Sequence, residues 1–214
     1  RIRAKLVELG HTTADLHAGL RACYGLLPAD PDKLRTEFAA RQEWAVAAAA
    51  KHLGSLAAAL QYTLNRMELT DLPNRQRIHG DLHLGQVLYS ASQGWIVIDF
   101  EGEPLRPLAD RTTPDYPERD IACMLRSFEY AAATLVRTGC AERMAAESWS
   151  RQWAESYLTG YRERCAAKGT NQLHADLTAA YWLDRAIYEV AYETQNRPDW
   201  VDIALTTLRK HLLS

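Results

Sequence analysis

The 214-residue sequence predicts an α+β fold, mainly α-helical, with one small β-hairpin set into a helical body. Three observations carry this expectation. Apolar residues recur at helical spacing over most of the chain, one stretch between about residues 77 and 100 switches to short β-like runs, and the unusual polar chemistry gathers in and around that stretch.

The opening segment, RIRAKLVELGHTTADLHAGLRACYG, repeats Leu6, Leu9, Leu16 and Leu20 at helical spacing, with Gly25 as its stop. GLLPADPDK is punctuation. From Leu34 to about Met67 the chain is rich in Ala, Leu, Gln and Glu, strong helix formers interrupted by Gly54, so one or two helices are expected. After the break DLPN, the runs QVLY and WIVIDF flank the turn-like SASQG and form a hairpin. From Pro117 the helical period returns through Ile121, Leu125, Phe128, Ala132 and Leu135, and Trp149, Trp153 and Tyr157 make a core stripe at intervals of four. Two further helices are expected over residues 176–194 and 199–213.

Composition narrows the function classes. A hydrophobic fraction of 47% and a charged fraction of 24% are those of an ordinary globular protein. The net charge of -2 supplies neither a basic stripe for nucleic acid nor a polybasic arm for lipid, so a small-molecule partner is expected. Cys23, Cys123, Cys140 and Cys165 form no metal-binding spacing and read as reduced, mostly buried thiols in cytoplasm. No run approaches a membrane span, and the charges of RIRAKLVELG do not suit a signal peptide. The chain opens on Arg1 and enters a helical pattern at once, as expected of a cut within a longer protein.

The chemistry centres on RIHGDLHLGQVLY. WIVI lacks polar alternation and should be buried on both faces, which puts the Asp99 carboxylate where a buried strand emerges. A carboxylate there is costly unless compensated. Asp81, on a glycine-flanked loop before the partner strand, would lie nearby, and Gln86 adds a neutral carbonyl oxygen, a donor set suited to Mg²⁺. Glu101, two residues beyond Asp99 on an extended chain, is a further metal-ligand candidate. A metal-hydrolase reading of His79, Asp81 and His83 fails for want of histidines downstream: His174 and His211 lie in helical surroundings.

HGDLHLGQVL followed by VIDFEGEP resembles the catalytic and metal loops of the aminoglycoside-phosphotransferase-like kinases, relatives of the protein kinases. Gln86 departs from that family's usual Asn. Together with DFEGEPLRPLADR, RDIACMLRSFEYAA and YEVAYETQNRPDW it narrows the resemblance to bacterial maltokinases, with actinobacterial glucosamine kinases close behind. The resemblance implies that residues 1–214 form the C-terminal lobe of a protein-kinase-like fold, with a catalytic loop at 79–86 and a metal loop at 99–103. It implies an ATP-dependent sugar kinase, Mg²⁺ as cofactor, ATP as co-substrate and maltose or an amino sugar as acceptor; for a maltokinase, the product feeds α-glucan (glycogen) synthesis. Asp81 takes the catalytic place, Gln86 and Asp99 the metal places; His79 and His83 fix the loop, and Asp120 braces it.

The acceptor end rests on Glu189, Tyr192 and Glu193. The i,i+4 glutamates repel slightly on an isolated helix and need an offset. Arg185 supplies one for Glu189; the other account makes all three residues a sugar pocket, as the resemblance implies. His17 reads as a packed or surface histidine, Arg119 and Arg126 as solvated helix residues, and Glu103 as a turn residue before Pro104. No strand-rich lobe with a phosphate-gripping lysine precedes Ile2, so the N-terminal nucleotide lobe is expected outside this chain, which alone would turn over weakly or not at all. A non-catalytic binding module is the alternative from another class.

Overall fold

The computed structural model describes residues 2–67, 69–103, 111–170 and 172–213. The expected turn at Pro104 and the motif residues through Asp110 lie outside the described residues. The stretch expected as one lobe is built from two compact units, residues 1–29 with 73–174 and residues 30–72 with 175–214.

In the first unit, α1 (Ile2–Tyr24) ends at Gly25, whose φ of 78° is the left-handed conformation that terminates helices. β1 (Leu26–Leu27) pairs antiparallel with β2 (Arg75–Gln76), a two-residue ladder too short to carry a periodic signal. A 3-10 turn (Leu84–Gln86) leads into β3 (Val87–Ser90), which pairs with β4 (Gly94–Val97), Val87 opposite Val97 and Ser90 opposite Gly94. α5 (Pro117–Arg137) starts on a proline at its first position, and α6 (Arg143–Lys168) ends at left-handed Gly169. Leu6, Leu9, Leu82, Ile121, Met124, Phe128 and Tyr157 share the core of this unit. α1 and α6 cross with their backbones in contact at Gly10 and Gly160, where no side chain would fit.

In the second unit, Asp30 caps α2 (Pro31–Ala48) by accepting the Lys33 N–H at 3.0 Å. The expected one or two helices continue as α3 (Ala50–Leu53) and α4 (Leu56–Asn65), so the segment breaks at Ala49 as well as at Gly54. α7 (Ala175–Asn196) and α8 (Val201–Leu213) complete it. Phe38 of α2 packs edge-on against Tyr181 of α7 at 5.0 Å, and Arg41 reaches Asp184 at 2.9 Å.

Three expectations change. WIVI is only half-buried, because the hairpin has two strands and one packed face: Trp95 and Val97 meet the core, while Leu88 on the other face is 55% exposed. Only Tyr157 of the aromatic stripe is core; Trp153 is half-buried and Trp149 is 39% exposed. Each step of four overshoots a 3.6-residue turn by about 40°, which carries Trp149 off the buried face. Cys123 and Cys165 are buried, whereas Cys23 and Cys140 are exposed. Among the described residues no helix is long and apolar enough to cross a membrane.

Candidate active site

The site is assembled around one buried carboxylate. Asp120 lies in the first turn of α5 and is fully buried. Its Oδ2 accepts the His79 N–H at 2.8 Å and its Oδ1 the Gly80 N–H at 2.8 Å. Gly80 has a φ of 90°, which lets two consecutive N–H groups turn toward one carboxylate. His17 of α1 supplies a third bond, Nε2 to Oδ2 at 3.0 Å, while its Nδ1 meets the Tyr161 hydroxyl at 2.8 Å. The His17 ring thus bridges the Asp120 carboxylate and the Tyr161 hydroxyl, whose pKa burial pushes well above its ordinary value.

Burial alone would raise the Asp120 carboxyl's pKa, but the hydrogen bond from His17, the electrostatic influence of the His17 and His79 rings and the Gly80 N–H outweigh it and hold the pKa below the usual range. A carboxyl depressed in the folded state contributes stability that is present above its unfolded pKa and is lost as pH falls through the folded value. Asp120→Asn should therefore lower stability by about 2 kcal/mol at neutral pH. It should also flatten the loss of stability below about pH 4. Thermal midpoints from pH 7 to 3 check this: a variant curve parallel to wild type across the acid limb would contradict it.

His79 carries the order from Asp120 to the hairpin. Its Nδ1 accepts the Asp81 N–H at 3.3 Å, which leaves Nε2 to donate to the Ile98 carbonyl at 2.8 Å. One imidazole thus ties the backbone of Asp81 to the residue before Asp99. Asp81 itself is 8% exposed. His83 turns its Nδ1 to the Gly85 N–H at 3.0 Å and so caps the 3-10 turn that delivers Gln86. Its Nε2 stands 3.9 Å from Asp81 Oδ2, beyond hydrogen-bond range. A Cβ on Gly85 would come within 2.7 Å of the His83 ring, so the glycine makes room for the cap.

Gln86 and Asp99 meet: Gln86 Nε2 donates to Asp99 Oδ2 at 2.8 Å. Asp99 has a φ of 63°, a left-handed conformation that costs a non-glycine residue energy and clusters at working sites. Asp99 is exposed, so the argument from a buried carboxylate does not hold; the strained backbone marks the residue instead. The same kink ends the extended chain on which Glu101 was placed beside Asp99, and Glu101 is exposed. The bond between Gln86 and Asp99 leaves one oxygen on each, hard donors that fit Mg²⁺. Among the described residues no group of three or more His, Cys, Asp or Glu gathers as a metal site.

Sequence reasoning missed several groups. His17, read as a packed or surface residue, touches Asp120 from 103 positions away. Arg119 is buried rather than solvated, pairing with Glu103 at 2.7 Å and Asp115 at 3.2 Å, and Arg126 is buried and pairs with Glu129. The His17–Asp120 and Arg119–Glu103 partners carry no local signal, whereas Arg119–Asp115 at i,i+4 and Arg126–Glu129 at i,i+3 are pairs that helical spacing offered.

Glu189, Tyr192 and Glu193 belong to the second unit, on α7. Arg185 Nε lies 3.6 Å from Glu189, and Arg197 grips Glu193 in a fork at 2.6 and 2.9 Å. The i,i+4 repulsion is thus offset by cations on the same helix and just past its end. Tyr192 stacks on Tyr188 at 6.2 Å.

The model of the phosphotransferase enzyme family (APH) matches residues 2–167. The glucosamine kinase of Streptacidiphilus jiangxiensis is 29% identical over 136 residues, covering 61% of this chain and 31% of that protein. The glucosamine kinase of Mycolicibacterium smegmatis is 29% identical over 135 residues, 61% of this chain and 33% of that protein. A solved glucosamine kinase in complex with glucosamine, ADP and inorganic phosphate superposes with a TM-score of 0.88 at 24% identity, over 97% of this chain and 54% of that one. The chain therefore spans about a third of the length of the curated relatives and about half of the solved structure. The likeness in coordinates places the fold as α+β, mainly helical and kinase-like.

Proposed function

The chain belongs to the phosphotransferase enzyme family, and from that premise we propose that it is the C-terminal lobe of an ATP-dependent amino-sugar kinase. The observation that carries this reading is the double tie of the loop, Asp120 to two successive N–H groups and His79 to Ile98, which holds Asp81 and the Gln86–Asp99 pair in one frame. Phosphoryl transfer asks a protein for position and charge more than for covalent chemistry, and a rigid loop with a carboxylate at its turn suits that demand.

In this reading Asp81 orients the acceptor hydroxyl and takes its proton. It needs position rather than an unusual pKa. Gln86 and Asp99 hold Mg²⁺ through their free oxygens, and the ion, when bound, would neutralise charge on the nucleotide phosphates. Glu101 stays a weaker candidate for the same ion. His79 and His83 keep the loop's shape and Asp120 anchors it. A nucleotide lobe, with its lysine, lies outside residues 1–214 in this proposal. Glu189, Tyr192 and Glu193 are proposed for the acceptor sugar, the two carboxylates acting while still paired with Arg185 and Arg197.

Glucosamine ranks ahead of maltose as acceptor because both curated relatives named above are glucosamine kinases. Maltose, the first expectation from the sequence, is not what the relatives named above are named for. The discriminating assay gives the longer protein that contains this chain ATP, Mg²⁺ and a panel of sugars, and follows ADP release. Glucosamine should exceed maltose by at least about tenfold in kcat/KM, since a pocket built for an amine rejects ligands lacking it. Preference for maltose would restore the maltokinase reading, and no turnover with any sugar would leave a binding module.

A further inference from the structure

Asp99 holds its left-handed backbone conformation, and Gly102, three residues on, holds another at a φ of 77°. Strain of the kind Asp99 carries persists only where the surroundings fix the chain on both sides of it. On the near side the anchor is the hairpin: the Ile98 N–H donates to the Gln86 carbonyl at 3.0 Å, and the Ile98 carbonyl accepts from His79 Nε2. On the far side, Phe100 packs on the His79 ring at 5.0 Å and its carbonyl accepts from Arg77 Nη2 at a long 3.4 Å. The strong tie comes at Glu103, which is buried and accepts Arg119 Nη2 on Oε2 at 2.7 Å.

Arg119 also reaches a second element. Its Nη1 donates to Asp115 Oδ2 at 3.2 Å, while Asp115 Oδ1 accepts the Tyr116 N–H at 2.8 Å. The Asp115 backbone bridges Gln76 in both directions, at 2.9 and 2.8 Å, and Gln76 ends β2, the strand that feeds the catalytic loop. One guanidinium therefore joins the end of the metal loop to the entry of the catalytic loop. Its neighbour Asp120 holds the catalytic loop directly, so two successive residues in one turn of α5 fix both loops. The loops pass close to each other: a Cβ on Gly80 would sit 3.7 Å from Gly102 Cα. The planar fork of an arginine suits two carboxylates in a fixed geometry, and burial keeps solvent from screening the pair.

We propose that Arg119, acting through Glu103, is a positioning residue that holds the metal loop in register with the catalytic loop and keeps Asp99 in its left-handed conformation. The proposal rests on the kinase reading only for what that register serves, the Mg²⁺ assigned to Gln86 and Asp99. Removing Arg119 outright would leave two buried carboxylates unmatched and endanger the fold. Milder changes test the tie. Glu103→Gln keeps the shape and one acceptor oxygen while Asp115 still neutralises Arg119, and Arg119→Lys keeps the charge but loses the fork.

Hydrogen exchange read by mass spectrometry on the full chain is the first readout. In both variants the amides of residues 99–103 should exchange at least about tenfold faster, the difference between a charge-assisted and a neutral hydrogen bond, while the β3–β4 hairpin keeps its wild-type rates. Glu129→Gln, which breaks the Arg126 pair on the same helix, is the control and should leave the loop at wild-type rates. In the longer protein, Glu103→Gln should raise the Mg²⁺ concentration needed for half-maximal rate by a similar factor and leave KM for the sugar unchanged. Loop exchange equal to wild type, exchange raised evenly over the chain or equally by Glu129→Gln, or an unchanged Mg²⁺ requirement in an active longer protein would each overturn the proposal. The exchange measurement needs no turnover, so a longer protein inactive toward every sugar counts against the kinase reading alone.

Discussion

Asp81→Asn in the longer protein should lower kcat for sugar phosphorylation by about 10²–10⁴-fold, the usual weight of a positioned general base. The thermal midpoint should stay close to wild type. The reason lies in how Asp81 is held. Its backbone N–H is bonded to the His79 ring, its side chain makes no direct hydrogen bond to His83, and the brace at Asp120 does not involve its carboxylate. Asn keeps the volume and the oxygen while removing the charge and the ability to take a proton. KM for ATP should change little, because the nucleotide is gripped elsewhere in the proposed enzyme. A variant with unchanged kcat would remove Asp81 from the chemistry, and one that unfolds would assign it a structural role instead.

The second large effect is on stability and is expected at the α1–α6 crossing. A Cβ built on Gly10 overlaps the Tyr157 carbonyl oxygen and falls 2.6 Å from the Tyr161 N; one built on Gly160 overlaps the Val7 carbonyl and falls 2.8 Å from its carbon. These neighbours are helical backbone and cannot swing aside like a flexible side chain. Gly→Ala within a helix ordinarily gains about 1 kcal/mol in propensity. Overpacking a tight contact costs about 1–3 kcal/mol and can cost more. With backbone as the obstacle the second effect wins, and Gly160→Ala should lose about 3 kcal/mol net. For a chain of this size that is a fall in thermal midpoint of about 6–12 °C. The crossing also places Tyr161 of α6 against His17 of α1, which in turn bonds Asp120, so the loosened pair should blunt the brace. Gly19, on the same α1 but with open space where its Cβ would point, is the matched control: Gly19→Ala should be neutral or stabilising.

What the sequence made legible follows the range of the interactions. The long helices were readable because apolar spacing is local: residues 176–194 and 199–213 were expected, and α7 and α8 occupy Ala175–Asn196 and Val201–Leu213. The hairpin was readable from SASQG between two apolar runs, and β3 and β4 flank it. The meeting of Gln86 with Asp99 follows from that hairpin, since pairing Val87 with Val97 brings the residues just outside the ladder together. Burial was read less well. WIVI is apolar enough to be buried on both faces, but periodicity does not say whether a second layer exists to cover it. The Asp120 network was legible at one end only. Asp120 stood out through its resemblance, whereas His17, Tyr161 and Gln76 converge from separate elements, and nothing local distinguishes His17 from any other helical histidine. Arg119 misled for the same reason: its two carboxylates, Glu103 and Asp115, are a loop and a turn away.

In the proposed function, the loop tied by Asp120 and His79 carries phosphoryl transfer to an amino sugar. The most direct measurement is ³¹P NMR of the longer protein incubated with ATP, Mg²⁺ and glucosamine, alongside its Asp81→Asn variant. The account predicts a new phosphomonoester resonance that grows as ATP is consumed and is nearly absent with the variant. ATP left intact by wild type, or the same phosphomonoester formed equally fast by the variant, would contradict it.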